Sequence, residues 1–253
     1  FYEDGYKLVQ SPHLGMEHQS AVAYGNGFVN GYMGRDLSGT GWGLKWDFML
    51  VHESSHEWFG NSITCNSGGD SWIHEGFAKY LETLYTSFAF GVEAGNDYSI
   101  GTWRRIKNEE PVLGSNTSDK YYKAGAMLHM IRQILGDTLF RGLLRGLNKQ
   151  FNHQTVNTKQ ILAFFNSYTK KDFTKIFDQY LTTTQIPILD YSFQDDTFKY
   201  RWQNCVDDFS MPVKISLDGK NFQFILPTKQ WQSLKNLPAN SNAFRVDRNF
   251  YIT

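Results

Sequence analysis

Two imidazoles and a carboxylate stand at a spacing that suits a metal ion, in His52-Glu53-Ser54-Ser55-His56. On a helix, positions i and i+4 share a face, so both imidazoles can reach one ion. Glu53 sits one step round from His52, where its carboxylate can reach a metal-bound water and accept its proton. Neutral imidazoles suit zinc, which in catalytic sites takes three protein ligands and keeps one position open. Only 7 histidines occur in 253 residues, so the arrangement is rare by chance. The plainer alternative is a helix with two surface histidines. A third ligand has to arrive from another element. Glu75, in Trp72-Ile73-His74-Glu75-Gly76-Phe77, follows His56 after the intervening positions 57–74. It is expected on the next helix, since two helices joined by a short loop can pack side by side. Its alternative reading is a solvated helix carboxylate.

HExxH, eighteen residues and then a glutamate in H-E-G-F-A resembles the zinc aminopeptidases related to aminopeptidase N and leukotriene hydrolase, within the gluzincins. His56-Glu57-Trp58-Phe59-Gly60-Asn61 is similar to that family's H-x-W-F-G-N. Leu14-Gly15-Met16-Glu17-His18 resembles its G-x-M-E-N exopeptidase motif, with Leu14 and His18 departing from it. The resemblance gives Glu17 the role of binding the substrate's free α-amino group, with Gly15 and Met16 beside it. An ammonium in a partly dry cleft needs a fixed carboxylate partner. Outside the resemblance, Glu17 reads as an ordinary strand-edge acid. Tyr121-Tyr122-Lys123-Ala124-Gly125 resembles the family's Y-x-K-G, with Ala124 where the glycine stands. Its tyrosine donates to the oxyanion; matching Lys123 points to Tyr121, while the displaced glycine keeps Tyr122 open.

The resemblance implies one Zn2+ per chain, held by His52, His56 and Glu75. It implies hydrolysis of the N-terminal peptide bond of peptides with a free N-terminus, with Glu53 as the base. A weakly active or non-catalytic peptide-binding fragment, and an endopeptidase of the same fold, are the alternatives. An upstream β-rich domain in the full-length protein is also implied. The fold expected is α+β: a thermolysin-like domain over 1–185, with a small mixed sheet and a helical lobe, then a small β-sandwich module over 186–253.

The elements that must position these residues are legible in part. Tyr6–Gln10 and Ser20–Tyr24 read as strands, with a turn at Gly25-Asn26-Gly27. Trp46–Phe59 reads as a helix stopped at Gly60-Asn61. A second helix is expected from an Asp70 cap, its apolar face carried by Ile73, Phe77, Leu81, Leu84 and Phe88. On that face Glu82 falls seven positions after Glu75, where it can orient a zinc-bound histidine. A surface glutamate is the equal alternative. Tyr121–Leu135 reads as a helix ended by Gly136, and helical periods follow near 138–150, 158–168 and 172–182. After Pro187 the pattern alternates. Val213, Ile215 and Leu217, then Asp218-Gly219, then Phe222, Phe224 and Leu226 signal a hairpin.

Composition bounds the remaining classes. Hydrophobic residues are 41% and charged residues 20%, which fits a globular domain. Lys+Arg and Asp+Glu are both 25, so no net charge points to nucleic acid as a partner. No apolar stretch is long enough for a membrane span. Cys65 and Cys205 read as free buried thiols. His13, His74, His129 and His153 read as hydrogen-bonded structural histidines, and Arg104-Arg105 and Lys170-Lys171 as solvated charges. A start at Phe1 without methionine suggests a processed chain or a piece of a longer one.

Overall fold

The computed structural model describes residues 5–235 and 242–253; positions 1–4 and 236–241, inside the two expected domains, lie outside the described residues. Small residues alternate with larger, buried ones in Ala21–Tyr24, which forms the central strand β3 of a three-stranded sheet. Strand β1 (Lys7–Gln10) pairs with it in parallel and β2 (Gly15–Met16) antiparallel, so the sheet is mixed.

This sheet leads into helix α1 (Phe48–Ser55). The Asp47 carboxylate accepts from the Leu50 N–H at 3.2 Å and caps the helix. The same carboxylate accepts from Asn26 Nδ2 and the Tyr24 hydroxyl, which ties the helix start to the sheet. The helix is shorter than the Trp46–Phe59 expected. Capping fixes its start at Asp47, and after His56 the chain turns sharply, with Gly60 at φ 147°.

Helix α2 (Trp72–Phe90) follows a short parallel pair, β4 (Ile63–Cys65) with β5 (Gln154–Val156). Ser71, not Asp70, is the N-cap residue, and it makes no capping bond through its side chain. The Asp70 carboxylate instead accepts from the Thr158 N–H and hydroxyl at 3.0 and 2.6 Å. Ile73 and Phe77 are buried as expected, but Phe88 is 90% exposed because the helix outruns the core in its last turn. Helix α3 (Val92–Thr102) has no counterpart in the sequence reading; its small polar residues carry too weak an apolar stripe. Helices α4 (Asp119–Leu135), α5 (Asp137–Gln150), α6 (Thr158–Thr169) and α7 (Thr174–Thr182) complete the helical part.

Among the described residues, all regular elements after Pro187 are strands. β6 (Ile188–Gln194), β7 (Thr197–Gln203) and β10 (Gln232–Leu234) form a sheet in the order β10-β7-β6. β8 (Val213–Ser216), β9 (Phe222–Ile225) and β11 (Arg245–Val246) form another in the order β11-β8-β9. The hairpin forms in the expected place, with Val213 opposite Ile225. The facing residues differ: Ile225 is buried, whereas Phe222, Phe224 and Leu226 are about half exposed. Alternation fixed which residues share a side of β9, but not which side meets the core. Buried residues of both parts, among them Ile131, Tyr180, Trp202 and Ile215, join in one apolar cluster. No helix among the described residues is long and apolar enough to cross a membrane.

Candidate metal centre and active site

Helix α1 and its C-cap residue present His52 and His56 on one face, as i, i+4 spacing requires, and α2 lies against it. Three donor atoms meet between the two helices. His52 Nε2 is 3.3 Å from His56 Nε2; Glu75 Oε2 lies 3.6 Å from the first and 3.4 Å from the second. Each imidazole has its other nitrogen engaged. His56 Nδ1 is 2.9 Å from the Phe59 carbonyl, and His52 Nδ1 is 2.8 Å from Glu82 Oε1. Both partners are acceptors, so each Nδ1 carries a proton and each Nε2 faces the other donors, where a neutral ring offers its lone pair. Two buried imidazoles in their neutral form and a partly buried carboxylate are the donor set that zinc takes in catalytic sites.

The charges respond to that crowding. Burial alone would lower the His52 pKa, but hydrogen bonds and charge from Glu75 and Glu82 raise it to about 10. Glu75 is held well below the ordinary carboxylate range: burial opposes this, and the two histidines outweigh it. The proton on His52 Nε2 has to leave before a cation can bind, so metal affinity rises with pH.

Glu53, on the same helix, is buried, and burial raises its pKa above the usual glutamate value. Strand β2 runs directly beside it. A Cβ at Gly15 would come 2.6 Å from Glu53 Oε1 and would also collide with Met49 Sδ, so a side chain there would displace the ends of both. Met16 is exposed, and the next residue, Glu17, comes within 4.8 Å of both Glu53 and His56.

Tyr121 enters from α4, and its hydroxyl donates to Glu75 Oε1 at 2.8 Å. Burial and then Glu75 push the phenol pKa up, so the hydroxyl stays a proton donor. Tyr122 points elsewhere, 5.7 Å from Lys79 Nζ and 5.9 Å from the Arg105 guanidinium. Helix α4 can lie this close to α2 because Gly76 faces Ala124; a Cβ at Gly76 would stand 2.7 Å from the Ala124 methyl.

Behind His52 lies a polar cluster that the sequence reading only touched. Glu82 has no exposed surface. Its Oε2 accepts from both Lys79 Nζ and the Tyr98 hydroxyl, which are 3.1 Å apart. Lys79 and Tyr98 were missed. The signal for Lys79 was a lone cation between the apolar residues Phe77, Ala78 and Tyr80 on a helix otherwise read as core. A cavity of about 490 Å³ opens beside His52, Glu53 and Tyr121. Arg35 and Arg105 also line it; both are exposed, so Arg105 is the solvated charge expected and borders the cavity as well. His74 Nε2 accepts from the Cys65 N–H, and His129 bonds to Asn249 and Tyr80, as structural histidines do. Both cysteines are free, and Cys65 is only partly buried.

The comparisons with known proteins agree with this geometry. Residues 15–114 match the Peptidase family M1 domain. Endoplasmic reticulum aminopeptidase 2 of Homo sapiens is 26% identical over 143 residues, covering 50% of this chain and 15% of that protein. Leukotriene A-4 hydrolase of Xenopus laevis is 27% identical over 142 residues, covering 48% of this chain and 23% of that one. Among solved structures, aminopeptidase A of Legionella pneumophila in complex with aspartic acid shares the fold at TM-score 0.70 and 15% identity, over 92% of this chain and 29% of that one. The M1 zinc metallopeptidase of Deinococcus radiodurans matches at TM-score 0.52 and 22% identity, over 64% of this chain and 35% of its own. These matches bear out the resemblance to the zinc aminopeptidases. The chain spans well under half the length of each of these relatives.

Proposed function

We propose that this chain carries the catalytic centre of a zinc-dependent aminopeptidase. The observation that carries the reading is the meeting of His52 Nε2, His56 Nε2 and Glu75 Oε2 within 3.3–3.6 Å, each imidazole locked by an acceptor at Nδ1. Zinc, bound there, would supply a Lewis acid for the scissile carbonyl and its attacking water. Glu53 takes the proton from the attacking water and passes it to the leaving amine; its raised pKa suits both halves of that task. The Tyr121 hydroxyl turns from Glu75 to the developing oxyanion. Glu17 pairs with the α-ammonium of the substrate, which limits cleavage to the first residue and disfavours an endopeptidase. Residues 1–185 form the thermolysin-like catalytic domain in this reading, 186–253 a β-sandwich module, and an upstream β-rich domain belongs to the whole protein.

Elemental analysis and a panel of aminoacyl substrates test it. One zinc per chain is expected, and His52→Ala or Glu75→Ala loses it. Glu53→Gln keeps zinc and peptide binding while kcat falls by at least about 10²-fold, the usual scale for losing a general base. Full zinc in either ligand variant, or near-normal turnover in Glu53→Gln, overturns the assignment.

A further inference from the structure

The cavity beside the metal donors has a direction. It touches His52, Glu53 and Tyr121 but not His56 or Glu17. Glu17 lies on the His56 flank, within 4.8 Å of His56 and Glu53. If Glu17 holds the α-ammonium, as the proposed function has it, the cavity lies on the other side of the cut and takes the leaving residue.

Its charges are unevenly spent. The Asp36 carboxylate accepts from the Ser38 N–H and hydroxyl at 2.8 and 2.7 Å and from the Gly41 N–H at 2.6 Å. Glu82 is taken up by His52, Lys79 and Tyr98, and Lys79 is neutralised in return. Arg35 and Arg105 make no ion pair among the described residues. Arg105 donates Nε to the Leu37 carbonyl at 3.0 Å and lies 5.9 Å from the Tyr122 ring. Arg35 lies 5.7 Å from the Tyr32 ring. Both side chains are exposed at the cavity, each guanidinium near an aromatic ring and with donors to spare, and a guanidinium fork fits a carboxylate.

We propose that this cavity receives a carboxylate on the leaving residue, and that Arg35 and Arg105 recognise it. The carboxylate can be the free C-terminus of a dipeptide or an acidic side chain. Three substrates separate the sources: alanyl-alanine, its C-terminal amide, and alanyl-aspartate amide. Either carboxylate-bearing substrate is expected to exceed the neutral amide in kcat/KM by about tenfold or more, the scale of one charge-assisted hydrogen bond. Whichever of the two does so identifies the source. Arg35→Gln and Arg105→Gln each lower that ratio, and the double variant brings it close to one. The ratio is taken within each variant, so a general loss of activity cancels. Calorimetric binding of the same three ligands to the zinc-loaded Glu53→Gln chain reads the same ratio without turnover. Equal handling of all three, or a ratio unchanged in the double variant, overturns the proposal. A preserved binding ratio with no turnover by the parent chain would instead defeat the aminopeptidase reading and leave the carboxylate site standing.

Discussion

The support behind His52 sets up a double-mutant cycle. Lys79 and Glu82 are both buried, and Glu82 Oε2 accepts from Lys79 Nζ and Tyr98 while Oε1 faces His52 Nδ1. Lys79→Met keeps most of the stem and deletes the ammonium. The Glu82 carboxylate then stays buried without its lysine, facing only Tyr98 and His52. Removing one member of a buried pair costs about 3–5 kcal/mol, a large share of the roughly 5–15 kcal/mol that holds a domain together. At about 2–4 °C per kcal/mol for this size, Tm should fall by about 6–20 °C. Glu82→Gln leaves an amide oxygen for His52 but strands the Lys79 charge, so a loss of similar size is expected. The double variant buries no charge pair and should cost well below the sum, with a coupling of about 2 kcal/mol or more.

Two assays read the cycle. Denaturant unfolding of the metal-free chain gives the coupling. Competition against a chelator gives zinc affinity, which should weaken by about 10- to 100-fold in Glu82→Gln, because the imidazole loses its orienting carboxylate. Costs that add within about 0.5 kcal/mol, together with unchanged zinc affinity, would refute the view that Lys79 and Glu82 act as one unit behind the metal donor.

Tyr121→Phe should lower kcat by about 10²–10³-fold, the loss typical of one oxyanion donor, with a smaller change in KM. Tyr122→Phe should leave kcat much less affected; the reverse order would shift the functional tyrosine by one residue. A third expectation concerns stability at acid pH. Burial holds the His129 pKa down at about 4, against 6.5 for an ordinary histidine. The unfolded chain therefore takes up a proton that the folded chain refuses, so stability is full above about pH 6.5 and is lost as pH falls toward 4. The loss reaches about 3 kcal/mol at most. His129→Gln should flatten that part of the unfolding-pH profile relative to the parent; identical slopes would remove His129 from the account.

What could be read without coordinates was whatever repeats within one element. The i, i+4 pair of His52 and His56, the seven-residue step from Glu75 to Glu82, and the apolar periods of α4 to α7 are all properties of a helix by itself. The hairpin of β8 and β9 was visible for the same reason, in strict alternation around Asp218-Gly219. The errors sit where a second element decides. Asp70 looks like a cap until Thr158, 88 positions on, claims its carboxylate. Phe222 and Phe224 alternate correctly, yet their side of β9 faces outward and Ile225 faces in. Lys79 went unread because its partner Tyr98 lies on α3, the helix with the weakest apolar stripe.

The site itself depends on two close approaches that no periodicity encodes. Its groups come from four elements: Glu17 follows β2, the histidines and Glu53 ride on α1, Glu75 on α2 and Tyr121 on α4. Gly15 lets β2 pass directly beside Glu53, and Gly76 lets α4 settle onto α2 one residue from Glu75. The exchange of glycine for alanine at position 124 becomes intelligible here. The closely packed α2–α4 crossing needs one partner without a Cβ, and Gly76 already provides it, so the Ala124 methyl is tolerated. At Gly125, a Cβ would stand 3.3 Å from Lys79 Cγ, so a larger residue there would press on the buried lysine that supports Glu82 and, through it, His52. The displaced glycine of the third motif therefore connects α4 to the support of the metal donors, while Tyr121 keeps its place beside Glu75.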